Sequence, residues 1–97
     1  MRLHLTVKAA DQIVAINAYL AERSPIGARN VQSALQATFV QLCNFPGLGR
    51  RQRTLGVRKI GVGRYPYNVY YTVDERAGEI IIIAVRHTSR APRFFDA

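Results

Sequence analysis

The chain has 97 residues, enough for one domain with its own core and too few for two, so we expect a single domain over residues 1–97. Its 14 lysines and arginines outnumber its 6 acidic residues, and the net charge of +8 predicts a polyanionic partner, either nucleic acid or an acidic protein segment. One cysteine, Cys43, and two histidines exclude an internal disulfide and a metal cluster, so we expect no metal and no cofactor. No apolar run is long enough for a membrane span and no signal-peptide pattern opens the chain, so we expect a cytoplasmic protein with no membrane partner.

The N-terminal segment predicts a short strand followed by a helix. Residues Arg2–Val7 alternate between apolar and polar side chains, as in a strand with one buried face, and His4 lies on the solvated polar face. From Lys8 to Arg23 the apolar residues recur at intervals of three and four, which is the spacing of an amphipathic helix. Asp11 is expected near the first turn of that helix, where a carboxylate stabilises the helix dipole.

A second helix is predicted to follow at once. Ser24 and then proline are typical of an N-cap and a first helical residue, so this helix runs from Pro25 to about Cys43. Two amphipathic helices joined so tightly predict an antiparallel hairpin. Tyr19 and Val40 lie off the apolar stripes and are expected to be exposed.

The C-terminal half predicts a loop and three strands. The loop covers Gly47–Arg53, and the strands cover Val57–Val62, Tyr65–Val73 and Ile80–Val85, with a turn at Gly63–Arg64. The resulting order is β-α-α-β-β-β. It predicts an α+β fold in which the helix hairpin packs on a small, mainly antiparallel sheet.

The last of these strands is the segment around which we expect the sheet to form. Ile80–Val85 is apolar at every position, so both faces should be covered, as in an inner strand. The sequence then changes to Arg-His-Thr-Ser-Arg, residues Arg86–Arg90, which we call the strand end. A rigid strand positions side chains better than a free loop does, so we expect the active surface to include the strand end.

Basic residues fall into two clusters without an acidic residue among them. The first comprises Arg50, Arg51, Arg53, Arg58, Lys59 and Arg64, and the second comprises Arg86, Arg90 and Arg93. We expect adjacent strands to bring both clusters towards one end of the sheet. The alternative is a solvated basic surface scattered over two faces.

His87 lies between Arg86 and Arg90 of the second cluster and could transfer protons at neutral pH. The arginines on either side disfavour its charged form, so a neutral imidazole could act as a base. The structural alternative is a histidine that closes the strand by bonding a neighbour. A metal-free ribonuclease could use Arg58, Arg86 and Arg90 as cations on the phosphate, with a tyrosine such as Tyr65 or Tyr70 beside His87.

Four segments in order resemble the RelE/ParE superfamily of toxins from type II toxin–antitoxin modules, closer to its ParE branch. They are Leu42–Gly49, Val57–Ile60, Tyr70–Asp74 and Val85–Pro92. The family's fold of two helices against an antiparallel sheet agrees with the order predicted above. The lysine-rich set and C-terminal tyrosine of the RelE branch are missing, as is the glutamate of other nuclease members.

The resemblance implies a cytoplasmic toxin that is neutralised by a cognate acidic antitoxin in a hetero-oligomeric complex. The ParE branch inhibits DNA gyrase by binding, which implies no enzymatic activity. The alternative is a RelE-like ribosome-dependent mRNA endoribonuclease acting on the ribosome and its mRNA. In that branch, Arg58 matches an arginine used on the scissile phosphate, and His87 matches a catalytic histidine of some members. The expected target-binding residues are Arg50, Arg51, Arg53, Arg58, Arg86, His87 and Arg90.

Overall fold

The structure, a computed structural model, describes residues 1–90. Within that range the elements are β1 (Arg2–Leu5), α1 (Val7–Arg23), α2 (Pro25–Asn44), β2 (Arg50–Arg51), β3 (Arg58–Val62), β4 (Tyr65–Asp74) and β5 (Glu79–His87). The strands form one sheet in the order β1-β5-β4-β3-β2, and both helices pack on one of its faces. The predicted α+β fold is therefore confirmed.

The first strand is shorter than predicted, because the chain enters α1 directly after it. The Thr6 side-chain oxygen accepts a hydrogen bond from the Ala9 N–H (3.1 Å) and so caps the helix. Val7 is consequently the first helical residue and is 79% exposed, so its predicted place on a buried strand face was wrong. The first turn contains no acidic residue, so the predicted position of Asp11 at the helix dipole was wrong as well.

The second helix begins and ends close to the predicted residues. The Ser24 side-chain oxygen accepts a hydrogen bond from the Gly27 N–H (3.0 Å), and Pro25 is the first helical residue. The helix ends at Asn44. Tyr19 and Val40 are both more than half exposed, as predicted.

Within the sheet β5 is an inner strand, as predicted, and lies between β1 and β4. Its pairing with β4 is antiparallel and extends to His87, whereas its pairing with β1 is parallel, so the sheet is mixed. His4 on β1 is exposed but not merely solvated, because its Nε2 atom lies 2.6 Å from the Glu79 carboxylate. The predicted loop Gly47–Arg53 contains the two-residue strand β2, which pairs with β3 and was missed because two residues carry no periodicity.

The core lies between the helices and the sheet. It comprises Ala9, Val31, Leu35, Leu42, Val62, Tyr67, Val69, Tyr71, Ile80, Ile82 and Val85. Burial of these apolar side chains holds the hairpin on the sheet.

A β-bulge interrupts the pairing of β4 with β5. Tyr71 pairs with Ile82 and Tyr70 pairs with Ala84, so Ile83 has no partner on β4. The bulge shifts the alternation of β5: the even residue Ile82 faces the helices before it, and the odd residue Val85 faces them after it. Arg86 and His87 therefore point to opposite faces, with His87 on the helix side.

The face opposite the helices is only partly covered by the described residues. It holds a small cluster of Val57, Tyr70 and Ala84, while Ile81 and Ile83 beside it are half-buried. Within residues 1–90, the helix side of the apolar part of β5 is therefore fully covered, and this face is covered in part.

Candidate functional site

Backbone hydrogen bonds hold the strand end in place beyond the last residue of β5. The Thr88 N–H donates to the Pro66 carbonyl (2.9 Å), and the Arg90 N–H donates to the His87 carbonyl (3.0 Å). The first bond extends the contact with β4 past the end of the ladder, and the second closes a turn. The side chains of the strand end are thus presented from a fixed backbone.

His87 is oriented by Ser89. The Ser89 N–H donates to the His87 Nδ1 atom (3.1 Å), and the Ser89 hydroxyl lies 2.9 Å from the same atom. Because a backbone N–H can only donate, Nδ1 acts as the acceptor and the proton of the neutral ring lies on Nε2. The ring also packs edge-on against Tyr67, with 5.6 Å between ring centroids. His87 therefore closes the strand through a neighbour, which is the structural alternative stated above.

Within residues 1–90, no carboxylate forms an ion pair with either arginine of the strand end. Among residues 1–90 the ion pairs join Glu79 to Arg2 and His4, and Glu22 to Arg23. Arg90 is exposed, and Arg86 is half-buried, with a buried Nε atom that has no hydrogen-bond partner. The third arginine of this cluster, Arg93, lies outside the described residues.

Arg58 is placed differently, although the sequence grouped it with the exposed cations. Its Nη1 atom donates to the Gly49 carbonyl (2.8 Å) and to the Gly47 carbonyl (3.3 Å). The guanidinium thus binds the backbone of the segment that follows α2. The arginines of β2, Arg50 and Arg51, and nearby Arg53 remain exposed.

Tyr71 binds the same segment from within the core. Its hydroxyl donates to the Pro46 carbonyl (2.8 Å) and accepts a hydrogen bond from the Gly49 N–H (2.8 Å). A side chain at position 49 would meet this ring, since a Cβ atom there would lie 2.6 Å from the hydroxyl. We call Pro46–Gly49 together with Arg58 and Tyr71 the loop anchor. No pattern in the sequence predicts the loop anchor, because its hydrogen bonds join residues that are distant in sequence.

The two basic clusters do not come together as predicted. Arg58 pairs with Tyr71, whereas Arg86 pairs with Asn68, three residues away along β4 and on the opposite face. Strand geometry places the two backbone positions about 10 Å apart along the sheet and about 10 Å apart across it. Arg64 is in the turn between β3 and β4, at the end of the sheet where β5 ends. The other cations of the first cluster lie away from that end, so the prediction that both clusters meet at one end of the sheet was wrong for them.

A cavity of about 730 Å³ lies between α1 and the strand end. Its lining includes Gln12, Ile16, Tyr19, Tyr67, His87 and Arg90. It combines apolar and aromatic walls with a cation at the rim. Sequence reasoning missed this cavity, and its only signal was an exposed tyrosine off the apolar stripe of α1.

Two tyrosines, Tyr19 and Tyr67, form the aromatic part of the cavity lining. Burial, and secondly the nearby Tyr19, raise the pKa of Tyr67 above its ordinary value, so its phenol is neutral at physiological pH. Tyr19 is held by Arg23, whose guanidinium lies 3.6 Å from the ring centroid and donates to the Tyr19 carbonyl (2.9 Å). A partly exposed aromatic surface with a fixed orientation is suited to binding an apolar side chain of another protein.

Residues 1–90 contain no group of three histidine, cysteine or acidic side chains that could hold a metal ion. In the same part of the chain, neither helix has the length and apolar character that crossing a membrane requires. Cys43 is a free, half-buried thiol.

The family comparison and the comparison with solved structures both point to ParE toxins. The family model described as the ParE toxin of the type II toxin–antitoxin system parDE matches residues 3–92. No curated protein matches the sequence. Among solved structures, a chain of the chromosomal ParDE toxin–antitoxin system from P. aeruginosa is 26% identical, with a TM-score of 0.76, over 90% of this chain and 95% of that chain.

Structures of the RelE branch are similar in fold at lower identity. The isolated E. coli RelE toxin is 15% identical, with a TM-score of 0.66, over 93% of this chain and 86% of that chain. A chain of the intact E. coli RelBE toxin–antitoxin complex is 16% identical, with the same TM-score, over 95% of this chain and 98% of that chain.

Proposed function

Because this chain belongs to the ParE toxin family of type II toxin–antitoxin systems, we propose that it arrests bacterial growth by binding DNA gyrase in the cytoplasm. It acts by binding and does not cleave RNA. A cognate acidic antitoxin neutralises it in a hetero-oligomeric complex, to which the net charge of +8 is suited.

The observation that carries this proposal is the strand end. Arg86 and Arg90 are free of carboxylate partners within the described residues, and the backbone that bears them is fixed by hydrogen bonds to Pro66 and His87. Unpaired arginines on a rigid element bind acidic protein surfaces without first breaking internal ion pairs. Arg50 and Arg51 on the edge strand β2, and Arg53 close to it in sequence, are exposed and add long-range attraction.

The geometry of His87 favours binding over cleavage. A general base must accept a proton through an unprotonated nitrogen, and the unprotonated Nδ1 atom is already bonded to Ser89. The exposed Nε2–H is a hydrogen-bond donor, which serves recognition. Arg58, the arginine that a RelE-like nuclease would use on phosphate, has two backbone carbonyls as partners.

Charge reversal at the strand end tests the proposal. The double variant Arg86→Glu, Arg90→Glu should lose inhibition of purified gyrase in a supercoiling assay by at least about 100-fold, because two attractive contacts become repulsive. Arg76→Glu is the matched control, since Arg76 is an exposed arginine in the turn before β5, at the far end of the strand. A folded double variant that inhibits as strongly as the control would remove the strand end from the target-binding surface.

Pulse-labelling of cells after induction distinguishes gyrase from the rival target, the ribosome with its mRNA. Gyrase inhibition should stop DNA synthesis first while translation continues. If translation stops first, and if His87→Ala and Arg58→Ala abolish RNA cleavage without weakening ribosome binding, the protein is an endoribonuclease of the RelE type and the proposal is wrong.

A further inference from the structure

The C-terminal end of α2 exposes three large apolar side chains. Val40, Phe45 and Leu48 are each more than half exposed, and we call these three residues the α2 tip. Val40 lies near the end of the helix, Phe45 is its C-cap, and Leu48 lies in the loop that follows. Exposing an aromatic ring and two aliphatic side chains to water at one helix end is unfavourable, and such a surface is typical of a contact site for another protein.

The part of the chain that contains the α2 tip is uncharged. Residues 30–49 include no lysine, arginine, aspartate or glutamate, and no longer stretch of this chain lacks them. Burial does not explain this composition, because Asn30, Ser33, Gln36 and Gln41 of α2 are exposed. Charged residues are depleted at the centre of protein–protein interfaces, so an exposed surface without charge is typical of one that a partner covers.

The loop anchor fixes the backbone that carries the α2 tip. Tyr71 and Arg58 hydrogen-bond the backbone of Pro46–Gly49, and the Leu48 N–H donates to the Phe45 carbonyl (3.1 Å). The exposed side chains are therefore presented from an ordered backbone. A partner that covers them needs to order little of the chain, which lowers the entropic cost of binding.

Cations border the α2 tip on the side of the sheet. Arg50 and Arg51 of β2 follow Leu48 closely in sequence and are exposed, and neither forms an ion pair with a carboxylate of residues 1–90. An apolar centre with cations at its border is complementary to an acidic protein surface that contains an apolar pocket. A second copy of this chain is a poor match, because a two-fold contact through the α2 tip would bring the arginines of both copies together.

The strand end lies close enough for one partner to contact both regions. Paired residues form one row across the sheet, which comprises Arg50, Lys59, Tyr70 and Ala84. Three strand spacings, about 14 Å, therefore separate β2 from β5, and the strand end begins two residues, about 7 Å, beyond this row. A protein–protein interface of standard size extends over about 30 Å.

We propose that the target of this toxin binds the α2 tip together with the strand end. The Phe45 ring enters an apolar pocket of the target, Val40 and Leu48 pack at its mouth, and Arg50 and Arg51 bind carboxylates beside it. This inference rests on the target named in the proposed function, and it adds the apolar part of the contact. The strand end contributes charge, and the α2 tip contributes the buried apolar anchor that dominates the affinity of most interfaces.

Truncation of Phe45 tests the proposal. Phe45→Ala should weaken inhibition of purified gyrase in the supercoiling assay by at least about 30-fold, which is the size of an interface hot spot. Ile26→Ala is the matched control, because Ile26 is 64% exposed at the other end of α2 and Phe45 is 66% exposed. The control should change inhibition by less than about twofold. Equal inhibition by the two folded variants would overturn the proposal.

Ionic strength separates the apolar contact from the charged one. The loss of gyrase affinity caused by Phe45→Ala should be the same at about 0.05 M and about 0.3 M salt, because salt does not screen apolar contacts. The loss caused by Arg86→Glu with Arg90→Glu should shrink at the higher concentration. Titration calorimetry of both variants measures these affinities. A Phe45→Ala loss that shrinks like that of the charge variant would exclude an apolar pocket as the partner of this ring.

Two further measurements exclude other occupants of the α2 tip. Phe45→Ala should bind the antitoxin encoded beside the toxin gene within about twofold of the unmodified affinity. Sedimentation of the unmodified toxin should show no dimer that Phe45→Ala dissociates. Weakened antitoxin binding with full gyrase inhibition would assign the α2 tip to the antitoxin, and a dimer lost in Phe45→Ala would assign it to a second copy. Either result would overturn the proposal.

Growth arrest after induction distinguishes failure of this inference from failure of the proposed function. If the unmodified toxin arrests growth without inhibiting gyrase, the proposed target is wrong. Loss of growth arrest in Phe45→Ala but not in Ile26→Ala would then still support the α2 tip as the target contact. Full arrest by both variants would overturn it whatever the target is.

Discussion

The loop anchor and the strand end both contain arginines, yet they use the arginines in opposite ways. In the loop anchor, the Arg58 guanidinium binds two backbone carbonyls, and the Tyr71 hydroxyl binds two more backbone groups. At the strand end, Arg90 is exposed and no carboxylate neutralises it among the described residues. One region uses its polar groups to hold the fold together, and the other leaves them available to a partner.

The difference shows that the role of a cation depends on what its donors contact and not on its neighbours in sequence. Arg58 follows other basic residues in the sequence, and so does Arg90. The distribution of charge along the chain therefore predicts the same role for both arginines. Only the contacts of the folded chain distinguish them, because the carbonyls that bind Arg58 come from residues Gly47 and Gly49 after α2. The predictions below test this contrast.

The largest effect is expected from a methyl group placed in the loop anchor. Gly49→Ala would bring a Cβ atom to 2.6 Å from the Tyr71 hydroxyl and 3.0 Å from the Lys59 carbonyl. Because Tyr71 is fully buried and cannot move aside, we expect the free energy of unfolding to fall by about 3 kcal/mol, measured by urea denaturation. Gly47→Ala is the control, since nothing lies within 4 Å of a Cβ atom there. A loss below about 0.5 kcal/mol for Gly49→Ala would contradict the anchor.

An intermediate effect is expected from removing each arginine in turn. Arg58→Ala should lower the free energy of unfolding by about 1.5 kcal/mol, because it leaves two carbonyls without their charged donor. Arg90→Ala should change it by less than about 0.5 kcal/mol and should instead weaken gyrase inhibition. Thermal unfolding of both variants measures the loss of stability, and the supercoiling assay measures the loss of gyrase inhibition. Equal stabilities, or equal losses of inhibition, would remove the contrast between the two regions.

The smallest effect concerns pH and the cavity at the strand end. Burial raises the pKa of Tyr67, so the folded state holds the phenolic proton more tightly than the unfolded state does. This contribution to stability is present below about pH 10 and is lost as the pH rises towards the folded-state pKa. Tyr67→Phe should therefore lose less stability between about pH 9 and pH 11 than the unmodified protein, measured by urea denaturation. Parallel stability curves for the two proteins would show that the phenol does not titrate in this way.

Much of the fold could be predicted because it depends on local patterns. The N-cap at Ser24, the apolar spacing of the helices and the isoleucine run of β5 each act through neighbours in sequence, and their boundaries were nearly correct. Val7 was misplaced because a valine continues a strand pattern as easily as it begins a helix. In that case the Thr6 cap decided the outcome.

The candidate site was less predictable because its contacts join distant residues. The strand end was predicted from the change from apolar to basic residues after Val85. The bond between Gln12 and Val85 spans 73 positions and leaves no periodicity in the sequence. The same is true of the partners of Arg58. A sequence pattern shows which groups are available, and only the fold shows which of them are already bonded.

The bulge in β5 has a consequence for how much length variation this strand tolerates. Tyr71 pairs with Ile82 and Tyr70 with Ala84, so the run of four isoleucines is one residue longer than regular pairing with β4 requires. A relative with three isoleucines could pair without a bulge and still direct Val85 towards the helices and Arg86 away from them. An added residue without such a bulge would exchange the two faces. The orientation of the charged end is therefore controlled by the number of residues in the isoleucine run that precedes it.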